Sequence, residues 1–256
     1  MPAPPVALVR RPGPRLAEGI VTHLERTPVD VGLAAAQWDA YCGAMREAGW
    51  ELVEVPPADD CPDAVFVEDV LVVHGDLAVV TRPGAPQRRP ETAGVERVVR
   101  DLGLRVERVE GPATLDGGDV LRAGGVAYVG LGGRTDRAGV ARLAELMEPS
   151  GTPVQAVLVT RALHLKSAVT ALPDGTVIGW GPVVDDPGVF PRFEQVPEEG
   201  GAHVVVLAHD HVLMAESAPL TAASFRARGL RVTTVDIGEL ERLEGCVTCL
   251  SVRIRR

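Results

Sequence analysis

An α/β fold assembled from repeated units of about fifty residues is expected from three features of the sequence. A strand, tight turn, strand pattern recurs along the chain. Amphipathic helical stretches separate the copies. Acidic or histidine residues stand at or near the starts of successive copies. Self-similarity at a fixed period marks repeat and radial architectures, and in such an arrangement the strand ends of successive units converge near a common axis. The 256 residues suffice for one large α/β domain or two small ones. No low-complexity linker divides them, so residues 1–256 are expected to form a single domain.

Taken in order, Val6 to Val9 is a short apolar strand that follows a proline-rich lead-in, Met1 to Pro5. Glu68 to Val80 reads as strand, turn at Gly75-Asp76, strand. Glu91 to Leu102 places Val95, Val98, Val99 and Leu102 on one helical face. Gly118 to Gly130 repeats the hairpin with Gly124-Gly125 at the turn, and Asp119 stands where Asp69 stands in the first copy. Arg137 to Met147 is the second helix, with Val140, Leu143, Ala144 and Met147 inward. Ser167 to Gly179 is a third hairpin, turning at Asp174-Gly175, and Val204 to Met214, turning near His209-Asp210, a fourth. Each unit thus reads hairpin, helix, strand. The apolar, β-branched run from Cys246 to Ile254 reads as a last strand with a thiol at its tip, and strand alternation sends Cys246 and Cys249 to opposite faces.

Composition excludes several classes. A net charge of −9, with no basic cluster interleaved with aromatic residues, argues against nucleic-acid binding. The longest apolar runs, such as Ala202 to Ala208, are far short of the roughly 18 residues that cross a bilayer. The N-terminus lacks the pattern of a secretory signal, and four cysteines in so long a chain make no disulfide framework. A reducing cytoplasm is the expected setting.

The candidate chemical residues each have a bland reading. A cysteine at a strand end is most often a small buried hydrophobe, and otherwise a nucleophile. Cys246-Val-Thr-Cys249 also fits a redox pair or half of a zinc site. Cys42 and Cys61 are isolated and make no second pair, and the expected strand parts the two thiols, which weighs against both of those readings. His164 sits just before a hairpin, where other units carry acids. Asp116 could serve only as a turn residue before Gly117-Gly118. Glu68 and Asp69 open a strand among apolar residues, where burial of two charges requires a cation to meet them. Arg88, Arg89 and Arg134 lie in Gly/Pro-rich loops, suited to a bidentate grip on a carboxylate.

Together, Phe66-Val-Glu-Asp69, Thr81-Arg-Pro-Gly-Ala-Pro86 with Arg88-Arg89, Ala113-Thr-Leu-Asp-Gly-Gly-Asp-Val120, Arg134-Thr135, His164-Leu-Lys-Ser167 and Thr248-Cys249 resemble dimethylarginine dimethylaminohydrolase, of the guanidine-modifying (amidinotransferase-like) superfamily. The ordered motifs span essentially the whole chain. The resemblance implies a five-bladed pseudo-symmetric α/β propeller of ββαβ-type repeats, and hydrolysis of asymmetric dimethylarginine and monomethylarginine to L-citrulline and an amine through a covalent cysteine thiouronium intermediate. It implies Cys249 as nucleophile, His164 as general acid/base and Asp116 as the residue that orients His164, where many bacterial relatives have Glu. Glu68 and Asp69 would lie near the guanidinium. Asp63, Arg88 and Arg134 would hold the amino-acid end with help from backbone near Leu243, Ser167 would line the substrate, and Ile20 would contribute from an entrance loop between Leu16 and Asp30. The implied partner is a small-molecule substrate, with no metal or other cofactor, no nucleic acid and no membrane; a homo-oligomer is compatible. Two alternatives stand beside it. One is an arginine deiminase-like hydrolase, though these are typically longer, with an inserted helical domain. The other is a non-catalytic guanidine-binding protein.

Overall fold

Short β-branched runs of three to six residues bury too little alone, and the chain combines them into five three-stranded sheets. The computed structural model describes residues 4–255; Met1 to Ala3 of the proline-rich lead-in, and Arg256, lie outside the described residues. In chain order the elements are β1 (Val6–Val9), α1 (Val31–Glu47) and β2 (Glu51–Glu54). The first complete blade is β3 (Leu71–His74), β4 (Leu77–Val80), α2 (Val95–Asp101) and β5 (Arg105–Arg108). The second is β6 (Val120–Ala123), β7 (Val126–Leu131), α3 (Arg137–Met147) and β8 (Val154–Leu158). A single turn of helix, α4 (Leu165–Ala168), leads into the third: β9 (Val169–Ala171), β10 (Val177–Gly179) and β11 (Phe193–Gln195). The fourth is β12 (Val204–Ala208), β13 (His211–Ala215), α5 (Pro219–Ala227) and β14 (Arg231–Val235). Finally come α6 (Gly238–Glu241) and β15 (Val252–Ile254).

Every blade has the same pairing: the middle strand runs antiparallel to the first and parallel to the third. The fifth blade obeys this rule with both ends of the chain, since β1 pairs antiparallel with β15 and parallel with β2. The result is a five-bladed α/β propeller closed by its termini. The first strands β3, β6, β9, β12 and β15 all line one central channel of about 260 Å³. The apolar core is divided into five clusters, one at each contact between neighbouring blades. Val6, Leu8, Val252 and Ile254 pack with Val70, Val80 and Val99 at one such seam, and Leu172 and Ile178 pack with Val204, Met214 and Phe225 at another. Burial therefore holds blades to each other as much as it holds each sheet to its own helix.

Three expectations are corrected. The helix expected over 91–102 begins at Val95, because Gly94 sits at φ 78 and a 3₁₀ segment, Pro86–Thr92, precedes it. The third blade has no α-helix between β10 and β11. The Pro-containing segments Gly181–Val183 and Pro187–Val189 make single 3₁₀ turns instead. The last strand covers only Val252–Ile254, and Cys246 to Leu250 form turns rather than strand. Among the described residues no helix is long and apolar enough to cross a membrane.

Candidate active site

Each blade begins its inner strand with a tight turn, and these five turns bring the chemical side chains to the axis. Glu68 and Asp69 lie in the 3₁₀ turn Val67–Val70 before β3. Asp116 and Asp119 flank Gly117-Gly118 before β6. His164 precedes α4 and β9, His203 precedes β12, and Cys249 lies in the turn before β15. The pair Gly117-Gly118 has a steric reason. A Cβ at Gly117 would lie 2.0 Å from the Glu68 carbonyl oxygen, and one at Gly118 would lie 2.5 Å from Asp69 Oδ1 and 2.8 Å from His164 Nδ1. Only glycine lets the second blade press this closely on the Glu68 backbone and Asp69 carboxylate of the first and the histidine of the third.

His164 is buried and held on both nitrogens. Nε2 lies 2.9 Å from Asp116 Oδ2 and Nδ1 lies 3.8 Å from Asp69 Oδ1. Asp116 is itself fixed, its Oδ1 accepting from the Gly84 amide at 2.8 Å. Burial disfavours the imidazolium, but Asp69, the Asp116 hydrogen bond and the charge of Asp119 together outweigh it and hold the pKa up to about 9. Asp69 is buried too, yet His164 and the Arg88 guanidinium bring its carboxyl down to about 2. Asp119 accepts from the Leu165 amide at 2.9 Å and the Thr135 hydroxyl at 2.6 Å, while burial pushes its pKa up to about 6.

The two C-terminal thiols meet. The Cys249 amide donates to the Cys246 carbonyl at 3.0 Å, closing a turn, and the sulfurs lie 3.2 Å apart. The expectation of opposite faces fails because the segment is a turn, in which positions i and i+3 share a side. Sharing a proton with Cys246, burial, and the carboxylates of Glu68 and Asp69 all push the Cys249 thiol up.

One narrow pocket is lined by Ile20, Asp63, Asp69, Arg88, Arg134, His164, Leu243 and Cys249. Eight of the eleven candidate residues are thus brought together, with Asp116 directly behind His164. Arg134 Nη1 is buried there with no hydrogen-bond partner, whereas Arg88 spends its donors on Asp69, Glu91 and the carbonyls of Asp63 and Phe66. Glu68 and Ser167 lie elsewhere. Glu68 Oε1 turns to the central channel and meets Lys166 Nζ and Arg253 Nη2, each at 2.6 Å, and Ser167 lines a neighbouring cavity of about 540 Å³. The pocket itself has a volume of about 20 Å³, room for about one water, so a substrate requires the covering loop to move. That loop is latched. Glu244 accepts from the amides of Thr22 at 2.7 Å, Leu24 at 3.0 Å and His23, and the Ile20 amide donates to Asp63 at 3.0 Å.

A thiol, an imidazolium between carboxylates and an unpartnered guanidinium thus share one closed pocket, and known proteins share the chain that builds it. No protein-family model matches. A dimethylarginine dimethylaminohydrolase from Streptomyces coelicolor is 62% identical over 249 residues, covering 97% of this chain and 96% of that protein. Its namesake from Pseudomonas aeruginosa is 32% identical over 250 residues, covering 96% and 98%. The chain belongs to the dimethylarginine dimethylaminohydrolase family. The solved structure of a cysteine-to-serine mutant of the Pseudomonas enzyme in complex with citrulline superposes with a TM-score of 0.90 at 30% identity, covering 98% of this chain and 99% of that one.

Within this dimethylarginine dimethylaminohydrolase fold, several site residues carried no role in the sequence reading. Asp119 was legible only as a repeat equivalent of Asp69. His203 occupies the same place before the fourth hairpin that His164 occupies before the third, a signal available in the period. Glu244 gave none, because its partners are backbone amides 220 to 222 residues away. Asp69, Asp116 and His164 also offer ligand atoms within 4.8 Å of one another, a spacing a metal ion would accept. Each already has a protein partner: Asp69 accepts from Arg88 and the Gly118 amide, and Asp116 accepts from the Gly84 amide and faces His164.

Proposed function

We propose that this enzyme hydrolyses asymmetric dimethylarginine and monomethylarginine to L-citrulline and dimethylamine or methylamine. The observation that carries the reading is the polarity of the closed pocket: the unpartnered Arg134 guanidinium among its lining residues, with the Asp69, His164 and Cys249 constellation beside it. The Arg134 end, backed by the charge of Arg88 and with Asp63 and the backbone near Leu243, suits the α-carboxylate and amino group. The carboxylate end suits a guanidinium.

A guanidinium carbon is a poor electrophile, so attack requires a thiolate. Carboxylates oppose thiolate formation at Cys249 in the free enzyme, and a bound cation offsets them; ionisation of Cys249 is thereby coupled to binding. The thiolate attacks the guanidino carbon to give a tetrahedral adduct. His164, cationic at neutral pH, gives its proton to the departing amine, and the C–N bond breaks to leave a covalent thiouronium. The now neutral His164 takes a proton from water, the hydroxide adds to the same carbon, and the C–S bond breaks to release citrulline. Asp116 keeps the ring oriented throughout. The reducing cytoplasm proposed as its setting is supported by four free cysteines.

The test is product analysis with purified protein given dimethylarginine, monomethylarginine or arginine. Alkylamine release with citrulline formation, lost in Cys249→Ser, is the expected result. Ammonia from arginine as the dominant product would replace this reading by a deiminase. Tight binding without turnover would leave a guanidine-binding protein.

A further inference from the structure

The turn that presents Cys249 also presents a second thiol. A turn closed by an i to i+3 hydrogen bond keeps the two Cα atoms within about 7 Å, which is the range a disulfide bridges. The sulfurs stand 3.2 Å apart, so a bond of about 2.05 Å needs an approach of roughly 1 Å, within reach of side-chain rotation. Neither sulfur is locked to another group that would prevent this: Cys246 Sγ has Thr248 Oγ1 at 3.2 Å as its other neighbour.

Access differs between the two. Cys249 lines the narrow, latched substrate pocket. Cys246 instead lines the neighbouring cavity of about 540 Å³, together with His203, Ser167 and Trp180. Both thiols are buried, Cys246 4% and Cys249 7% exposed, but the cavity beside Cys246 has room for a small oxidant and the substrate pocket does not. Charge favours the same order. Cys246 shares a hydrogen bond with Cys249 and feels His203, both of which lower its pKa against burial and Glu68, whereas Cys249 faces Asp69 as well as Glu68.

We propose that Cys246 and Cys249 are a reversible modification site, at which a peroxide joins the two sulfurs as a disulfide and so withdraws the nucleophile. The chemistry balances in two steps. The Cys246 thiolate attacks one oxygen of the hydroperoxide, the O–O bond breaks, and Cys246 becomes a sulfenic acid while hydroxide, or an alkoxide, leaves. Cys249 then attacks the Cys246 sulfur. The S–S bond forms, the S–O bond breaks, and the hydroxide departs with the Cys249 proton as water. The peroxide is reduced, each sulfur is oxidised by one electron, and a dithiol reverses the bond by exchange. Cys246 is the reacting sulfur and Cys249 the resolving one. The proposal rests on Cys249 as the nucleophile only for its effect on activity; the crosslink itself does not depend on that reading.

Hydrogen peroxide on the reduced full-length protein, followed by intact mass and peptide mapping under thiol-blocking conditions, tests it. The expected result is loss of two hydrogens, a single Cys246–Cys249 bridge with Cys42 and Cys61 still alkylated, activity lost in proportion to the bridge, and full recovery with dithiothreitol. Cys246→Ser keeps its turnover but, having no resolving thiol, is carried by excess peroxide past the sulfenic acid to the sulfinic acid on Cys249, a gain of two oxygens that dithiothreitol does not remove. Absence of the bridge in an inactivated wild-type enzyme, or equal dithiothreitol recovery of both proteins, overturns the proposal. A bridge that forms while activity persists would retain the modification and remove Cys249 from the mechanism. Should Cys246→Ser fold poorly, the wild-type bridge map decides alone.

Discussion

Asp116→Asn isolates the charge behind His164, the proposed general acid. The substitution keeps the size of a side chain that is fully buried and wedged between the Gly84 amide and His164 Nε2. It removes one of the three carboxylates that, against the cost of burial, hold His164 at about 9 rather than 6.5. One pH unit corresponds to about 1.4 kcal/mol, so these carboxylates favour the cation by about 3 kcal/mol net of burial. Asp69 and Asp119 remain in the variant, and the histidine pKa is therefore expected to fall part of the way toward 6.5. The sign follows from a raised pKa. The cation persists below the folded value and is lost as pH rises through it. The wild-type enzyme keeps its acid up to about 9, and the variant loses it earlier. The stabilisation of the fold behaves the same way: it is fully present below 6.5 and disappears as pH rises through about 9.

Initial rates of dimethylamine release at substrate well below saturation, which report the free enzyme, from about pH 6 to about pH 9.5, give the check, since general acid catalysis contributes about 10²–10⁴ in rate. The ratio of variant to wild-type rate should fall steadily between about pH 6.5 and about pH 9. Titration of the His164 ring by NMR should show the same displacement without reference to turnover. A rate ratio flat across the range, together with an unmoved NMR titration, would refute the assignment of Asp116 as the charge that keeps His164 protonated.

The two arginines should separate. Arg134→Ala removes the unpartnered donor and should weaken substrate binding about ten- to hundred-fold, the worth of a charge-assisted hydrogen bond of roughly 1.5–3 kcal/mol. Methylguanidine, which has no carboxylate, should be affected little, and an equal loss with both compounds would assign Arg134 to structure. Arg88→Ala strands Asp69 and Glu91 in the interior, where breaking a buried pair costs about 3–5 kcal/mol; a thermal melt unchanged from wild type would show that Arg88 is free to serve the substrate. Glu244→Ala deprives the amides of Thr22, His23 and Leu24 of their shared acceptor. Hydrogen exchange at those amides should accelerate at least about tenfold, as loss of about 1.4 kcal/mol would produce, and unchanged protection would mean that the loop is held by something else.

The hairpins were legible because their information is local. A turn glycine such as Gly75, Gly124 or Gly175 takes the positive φ that the turn demands, and β-branched residues on either side need no distant partner to favour strand. Asp116, His164 and Asp69 were legible through the period, because the same turn before each inner strand delivers them to the axis. What escaped is non-local. The closing blade joins β1 to β15 across the whole chain, and Glu68 belongs to the channel only because Lys166 and Arg253 arrive there from other blades. Cys246 shows the physical reason most clearly. Its run is apolar and β-branched, which in an isolated segment favours a strand with alternating faces. Here Val247 and Leu250 are buried by the seam between the fourth and fifth blades, a constraint that asks for hydrophobicity but not for extension. The chain must turn between α6 and β15 to bring Cys249 to the axis, and that turn sets the second sulfur beside the first. Composition reported the burial correctly, and the spacing rule drawn from it failed because the ring, not a sheet, does the burying.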